Sequence, residues 1–202
     1  MRASGRIAHG AAVLLVLSGA AAACPTAEEI DGNGVYFIHS DGLRELHFVL
    51  DGSEALVDGG LIAKTVWDDQ GMPTGETSLA LYGLYPTSSV VGEHVNSMFY
   101  DDEVARPVPQ RGMTVEVAVD IKQRRIETSG VMTLTVDDTP AGVKFGDCTL
   151  EVWAAAYRVD LGGEKSFGAR VHWFPTLGTG VEVQSTLNGE LGAARTVVGL
   201  DW

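Results

Sequence analysis

The chain has 202 residues, with 14 Lys+Arg against 27 Asp+Glu and a formal charge of −13. That length suits one domain, or two small ones, and the acidity argues against a nucleic-acid binder or a protein held on anionic lipid by charge. Hydrophobic residues make up 45 %, which is globular rather than disordered. With 25 glycines, 7 prolines and no repeat, the chain should make many tight turns.

Residues 1–23 read as a secretory signal. Arg2 and Arg6 precede an apolar run from Ala11 to Leu17, and Ala21-Ala22-Ala23 supplies small residues for cleavage. The run is too short to cross a bilayer as a helix. The expected location is periplasmic or secreted. Removing the segment takes two arginines and no acid, leaving 12 basic and 27 acidic side chains, a charge of −15. Residues 24–202 then form one β-rich domain, with a subdivision near 101–112 as the alternative. That stretch, DDEVARPVPQRG, is charged and carries two prolines.

The two cysteines, Cys24 and Cys148, have two exclusive readings. Cys24 at the first mature position fits a membrane-anchored lipoprotein, although Ala21 stands where that signal prefers Leu. An even count in an oxidising compartment fits a Cys24–Cys148 disulfide closing a long loop. No CxxC or zinc-knuckle spacing is present.

Segment 25–32 is expected to form one helical turn, capped by Thr26 with Glu28 and Glu29 at its start. After residue 33 the dominant period is two. Strands at 35–39 and 43–50 flank Asp41-Gly42, a two-residue turn signal. Further strands are expected at about 53–57, 61–67, 77–85 and 97–100. In 113–122, Met113, Val115, Val117, Val119 and Ile121 share one face. A turn at Gln123-Arg124 would set Ile121 opposite Ile126 and Val115 opposite Met132, with Gly130 opposite Val117 at a bulge. Asp137-Asp138 would end that second strand before Pro140. Strands at about 143–159, 165–174, 180–187 and 194–199 complete an all-β antiparallel meander, a sandwich or a half- or full barrel.

Candidate chemistry is sparse. The Asp41-Gly42 turn sets His39 against Arg44 and His47 against Tyr36, so the two histidines point to opposite sides and cannot share a metal unless a bulge intervenes. His94 falls in a loop and His172 on the polar side of its strand. The acidic runs Asp68-Asp69, Asp101-Asp102-Glu103 and Asp137-Asp138 lack calcium-loop spacing and read as solvated turns. There is no GxSxG, SxxK, HExxH or phosphate-binding glycine loop. No catalytic, cofactor or metal residue is identified. Aromatic residues gather in the last third: Trp153 with Tyr157 on one strand face, Phe167 with Trp173 on the next. They read as core, or as an apolar surface for a ligand.

The run Cys148-Thr149-Leu150, Val152-Trp153, then Trp173-Phe174-Pro175-Thr176-Leu177-Gly178 resembles small β-rich secreted proteins of alphaproteobacteria, as do Cys24-Pro25-Thr26-Ala27 and Asp41-Gly42. The resemblance spans roughly 24–50 and 143–190 and implies an envelope β domain whose function is not known. It carries over no catalytic residue and adds support for pairing Cys24 with Cys148.

Three functions follow as expectations. The first is a non-enzymatic envelope module that binds or scaffolds a protein partner. The second is a carrier of a small apolar or lipid-like ligand in a β-barrel lumen. The third is a carboxylate-based hydrolase. A membrane association is expected only with a lipidated Cys24.

Overall fold

The computed structural model describes residues 24–50, 60–101 and 106–202. The signal segment and the strand expected at 53–57 lie outside the described residues. A short helix, α1 (Ala27–Gly32), comes first. The Thr26 hydroxyl accepts from Glu28 N (3.3 Å) and the Glu29 carboxylate accepts from Thr26 N (2.7 Å), a reciprocal cap. Ile30 is its buried side chain.

Strands follow as β1 (Val35–His39), β2 (Arg44–Val49), β3 (Leu61–Trp67), β4 (Pro73–Leu81), β5 (Tyr85–Val91), β6 (His94–Tyr100) and β7 (Thr114–Gln123). The remainder are β8 (Ile126–Phe145), β9 (Cys148–Asp160), β10 (Ser166–Phe174), β11 (Thr179–Leu187), β12 (Glu190–Leu191) and β13 (Val197–Asp201). All thirteen belong to one antiparallel sheet, not closed into a barrel. Each strand from β1 to β12 pairs with its neighbour in sequence, and β13 returns to the far side of β1. β6 and β7, the strands on either side of 101–112, pair from Asn96↔Gln123 to Tyr100↔Val119; residues 102–105 of that stretch lie outside the described residues.

Several local expectations are corrected. The first turn has three residues, Ser40-Asp41-Gly42, closed by His39 N to Leu43 O (2.8 Å), with Gly42 at φ +88°. A third turn residue in the left-handed region is an ordinary hairpin solution. It moves the register by one, so His47 opposes Val35 and Arg44 opposes Ile38. The β7–β8 turn falls at Arg124-Arg125, with Arg124 at φ +54°. Val115 therefore opposes Leu134 and Ile121 opposes Thr128, two residues from the expected pairing. Gly130 opposes Val119 without a bulge; a Cβ there would meet Asp160 O at 2.4 Å, so the glycine admits the end of β9. β8 runs on through Asp137-Asp138 and Pro140, absorbing them in a register shift between Val136 and Pro140. The stretch 143–159 is split by a turn at Gly146-Asp147. The serine-rich stretch after Tyr85 is strand rather than loop, and His94 opens β6.

The long sheet folds over so that its two ends meet. One apolar cluster joins Leu84, Tyr85, Val119, Met132, Leu134, Val159 and Trp173. A second joins Ile30, Val35, Phe37, Phe145, Leu150, Phe174 and Val197, drawn from strands far apart in the sheet order. Phe37 of β1 and Phe174 of β10 lie 5.3 Å apart by ring centre. Each large side chain sealed in this way contributes about 1.5–3 kcal/mol. Cys24 and Cys148 form a disulfide at the border of the second cluster, Cα atoms 5.1 Å apart. The bonded Cys24 thiol is not free to carry a lipid.

The chain between β12 and β13 straps the ends together. Gly192 N and Arg195 N donate to Ser185 O (2.9 Å) and Val183 O (2.7 Å) of β11. Ser40 N, beside β1, donates to Thr196 O (2.8 Å), and Arg195 meets Asp41 at 3.2 Å. A second closure is the β4–β5 turn, which abuts the start of β11. Gly83 sits at φ +66°, and a Cβ on it would lie 2.5 Å from Gly180 N. Trp173 Nε1 donates to Tyr82 O (3.1 Å) in the same contact. Gly83→Val is expected to cost about 1–3 kcal/mol or more, since both the backbone angle and the space are denied. Urea unfolding reads this directly, and an unchanged midpoint would remove the closure from the account.

Candidate functional site

The fold-over leaves a cavity of about 600 Å³ between the two arms of the sheet. One wall belongs to β3–β7 and the other to β8–β11. Strand register explains the first wall. Lys64 pairs with Ser78, Ser78 with Ser89, Ser89 with Asn96, and Asn96 with Gln123. Directly opposed residues share a sheet face, and all five side chains line the cavity. The row runs from buried Lys64 through half-buried Ser78, Ser89 and Asn96 to exposed Gln123 at the mouth. Met98 and Ile121, paired with each other, lie one row deeper.

The opposite wall is apolar. Tyr157 and Leu161 from the end of β9, and Phe167 and Val171 from β10, face the cavity. Burial pushes the Tyr157 phenol far above its ordinary range, so it stays neutral. Of the four aromatic residues read as a candidate ligand surface, Tyr157 and Phe167 therefore line the cavity. Trp153 and Trp173 lie deeper on the same sheet face and pack on each other, ring centres 4.9 Å apart.

The closed end of the cavity is charged. Lys64 Nζ donates to Gly180 O (2.7 Å) and Gly83 O (3.4 Å), binding the two arms together. Glu182 of β11 lines the same end, and burial raises its carboxyl above the usual range despite Lys64 nearby.

Behind Lys64 lies a buried polar cluster. His39 and His47 point to the same side of the hairpin, not to opposite sides, because the three-residue turn shifts the register by one. Glu45 lies between them, with Oε2 at 3.2 Å from His39 Nε2 and Oε1 at 2.9 Å from His47 Nε2. His47 Nδ1 shares a hydrogen bond of 2.8 Å with the Thr179 hydroxyl. Burial opposes charge on Glu45, but His47, His39 and Lys64 together outweigh it and hold the carboxyl well below its usual range. Burial lowers the His47 pKa against the pull of Glu45. A neutral ring with its proton on Nε2 lets Nδ1 accept from Thr179, while Nε2 lies near Glu45 without hydrogen-bond alignment.

Thr179, His47 and Glu45 have the order of a nucleophile, a base and an orienting acid. Yet Thr179 is 0 % exposed, so no substrate reaches its hydroxyl, and the cluster serves to hold β2 against β11. Among the described residues, no group of three His, Cys, Asp or Glu side chains is placed to hold a metal ion. His94 is exposed and contacts Arg124 (3.2 Å). His172 is half-buried, which lowers its pKa. Asp68 is a turn residue whose carboxylate accepts from Gln70 N and Met72 N.

The residues that shape the site, Lys64, Glu45 and Glu182, were not singled out by sequence reasoning. One signal was present: Lys64 shares its strand face with Ile62, and a charge on an apolar face marks an inward-facing ion. Glu182 alternates with Val181 and Val183, which reads as an ordinary outward polar position. Comparison with protein-family models, curated proteins and solved structures finds no match, and the chemistry of the site rests on its own geometry.

Proposed function

We propose that this protein is an exported carrier that holds a small, largely apolar ligand in the lumen of its folded sheet. The observation that carries the reading is the cavity of about 600 Å³, within the range of small-molecule sites and walled on one side by Tyr157, Leu161, Phe167 and Val171. Export is supported by the signal-like residues 1–23 and by the Cys24–Cys148 disulfide, a bond that persists in oxidising compartments. The buried hydroxyl of Thr179 speaks against a hydrolase built on that cluster. A scaffolding role needs no such lumen.

The test is binding of N-phenylnaphthylamine, a neutral dye that fluoresces in apolar surroundings. Ser89 and Met98 line the cavity and are only half-buried, so Ser89→Trp and Met98→Trp should fill it while leaving the fold intact by circular dichroism. Saturable dye binding that both variants abolish is the expected result. Dye binding unchanged in both variants places the apolar site elsewhere, and no binding to the parent protein removes the carrier reading.

A further inference from the structure

Resting on the carrier reading, we infer that the lumen takes a facially amphipathic anion: a rigid molecule with hydroxyls along one edge, hydrocarbon along the other, and an acidic group at the end that reaches Lys64. The two walls differ in kind. Four of the five side chains from Lys64 to Gln123 are neutral hydrogen-bonding groups set one strand apart, so the row covers four steps of about 4.8 Å. Among the described residues it contains one internal hydrogen bond, Asn96 Nδ2 to Ser89 Oγ (3.3 Å). The remaining donors and acceptors face the cavity. A saturated chain laid against this wall would strip water from them and return nothing. A molecule with several hydroxyls on one edge replaces that water, and its hydrocarbon edge then meets Phe167 and Val171 across the lumen.

The head group is set by charge. Lys64 is the one cation lining the cavity among the described residues. Its ammonium has three donors, of which two go to Gly180 O and Gly83 O; the third serves a ligand oxygen. Glu182 sits at the same end, faced by Lys64 of β3, Glu45 of β2, Glu76 of β4, Arg195 of the strap and the phenol of Tyr157 in β9. Burial opposes charge on Glu182, and it is the protonated carboxyl that can donate to an anion at this end. An anion beside Glu182 favours the protonated form, so binding takes up a proton and tightens on acidification.

The experiment is displacement of N-phenylnaphthylamine from the disulfide-closed protein by three probes: taurocholate, whose sulfonate stays ionised, laurate, and dodecyltrimethylammonium. Taurocholate should displace the dye at a concentration about tenfold or more below that of laurate, with the cation weakest. Lys64→Met should weaken taurocholate about tenfold more than it weakens the dye, while Lys64→Arg retains most of the binding. Ser78→Ala with Ser89→Ala, exposed enough to spare the fold, should narrow the preference over laurate. Glu182→Gln should flatten the pH dependence. Equal or better displacement by laurate or by the cation overturns the inference while the carrier reading stands, and so does indifference of taurocholate to Lys64→Met. Failure of the dye itself to bind overturns both.

Discussion

Glu45→Gln is expected to destabilise the protein by about 3–5 kcal/mol, the usual cost of removing one member of a buried charge cluster. The variant keeps the volume but takes the counter-charge from Lys64 and the shared acceptor from His39 and His47. It also changes the response to acid. In the parent, the folded pKa of Glu45 lies well below 4.5. The unfolded chain therefore binds the proton first, and this stabilisation is full above about 4.5 and lost as pH falls through the folded value. The folded pKa of His47 lies below 6.5. The unfolded ring takes a proton that the folded ring refuses, so stability falls as pH drops below about 6.5. Glu182 acts in the opposite sense: its raised folded pKa favours the fold at low pH and is lost as pH rises through that value. Urea midpoints across pH separate the three. Glu45→Gln should flatten the curve below about 4.5, and His47→Gln should flatten it just below 6.5. A Glu45→Gln variant as stable as the parent would show that the cluster contributes nothing net.

Opening the disulfide is expected to cost about 2–4 kcal/mol, chiefly by releasing a long loop in the unfolded chain. The bridge joins residues 124 apart and ties the segment before α1 to the start of β9. Cys148 and Cys24 also pack on the second apolar cluster. Cys24→Ser with Cys148→Ser together avoids a stray thiol. The double variant should melt lower than the oxidised parent and match the parent in reductant. A reductant effect that persists in the double variant would assign the loss to something other than this bond.

The two hairpins show how much of the fold is legible in the residues. In both, the alternation of apolar and polar residues locates the strands. In both, the turn was expected one place from where it forms. For β7–β8 the turn moves along the chain with its length unchanged, so partners shift by two and every side chain keeps its face. For β1–β2 the turn gains a residue, partners shift by one, and every cross-strand neighbour changes side. The apolar pattern of β7 is strong enough to show its inner face directly. β1 and β2 carry His39, Glu45 and His47 on their inner face, so the pattern there points the wrong way. The polar row of the lumen was hidden for a related reason. Ser89 and Asn96 look like loop residues because the wall they form is wet. The fold-over itself depends on contacts such as Lys64 with Gly180 and Tyr82 with Trp173, which no local pattern encodes.

The strap has a consequence for how the chain reaches this state. β1 finds one partner immediately, in β2, but its other edge is satisfied only by β13, from the far end of the sequence. Until Val197–Asp201 has been made, Val35–His39 is an open edge with free backbone donors and acceptors, the kind of template that recruits stray strands. Every strand between can zip up as successive local hairpins, while the last pairing must wait for β13. Loop-closure entropy makes such a terminal step slow. Synthesis on the ribosome therefore cannot yield a sealed sheet before Val197–Asp201 has emerged.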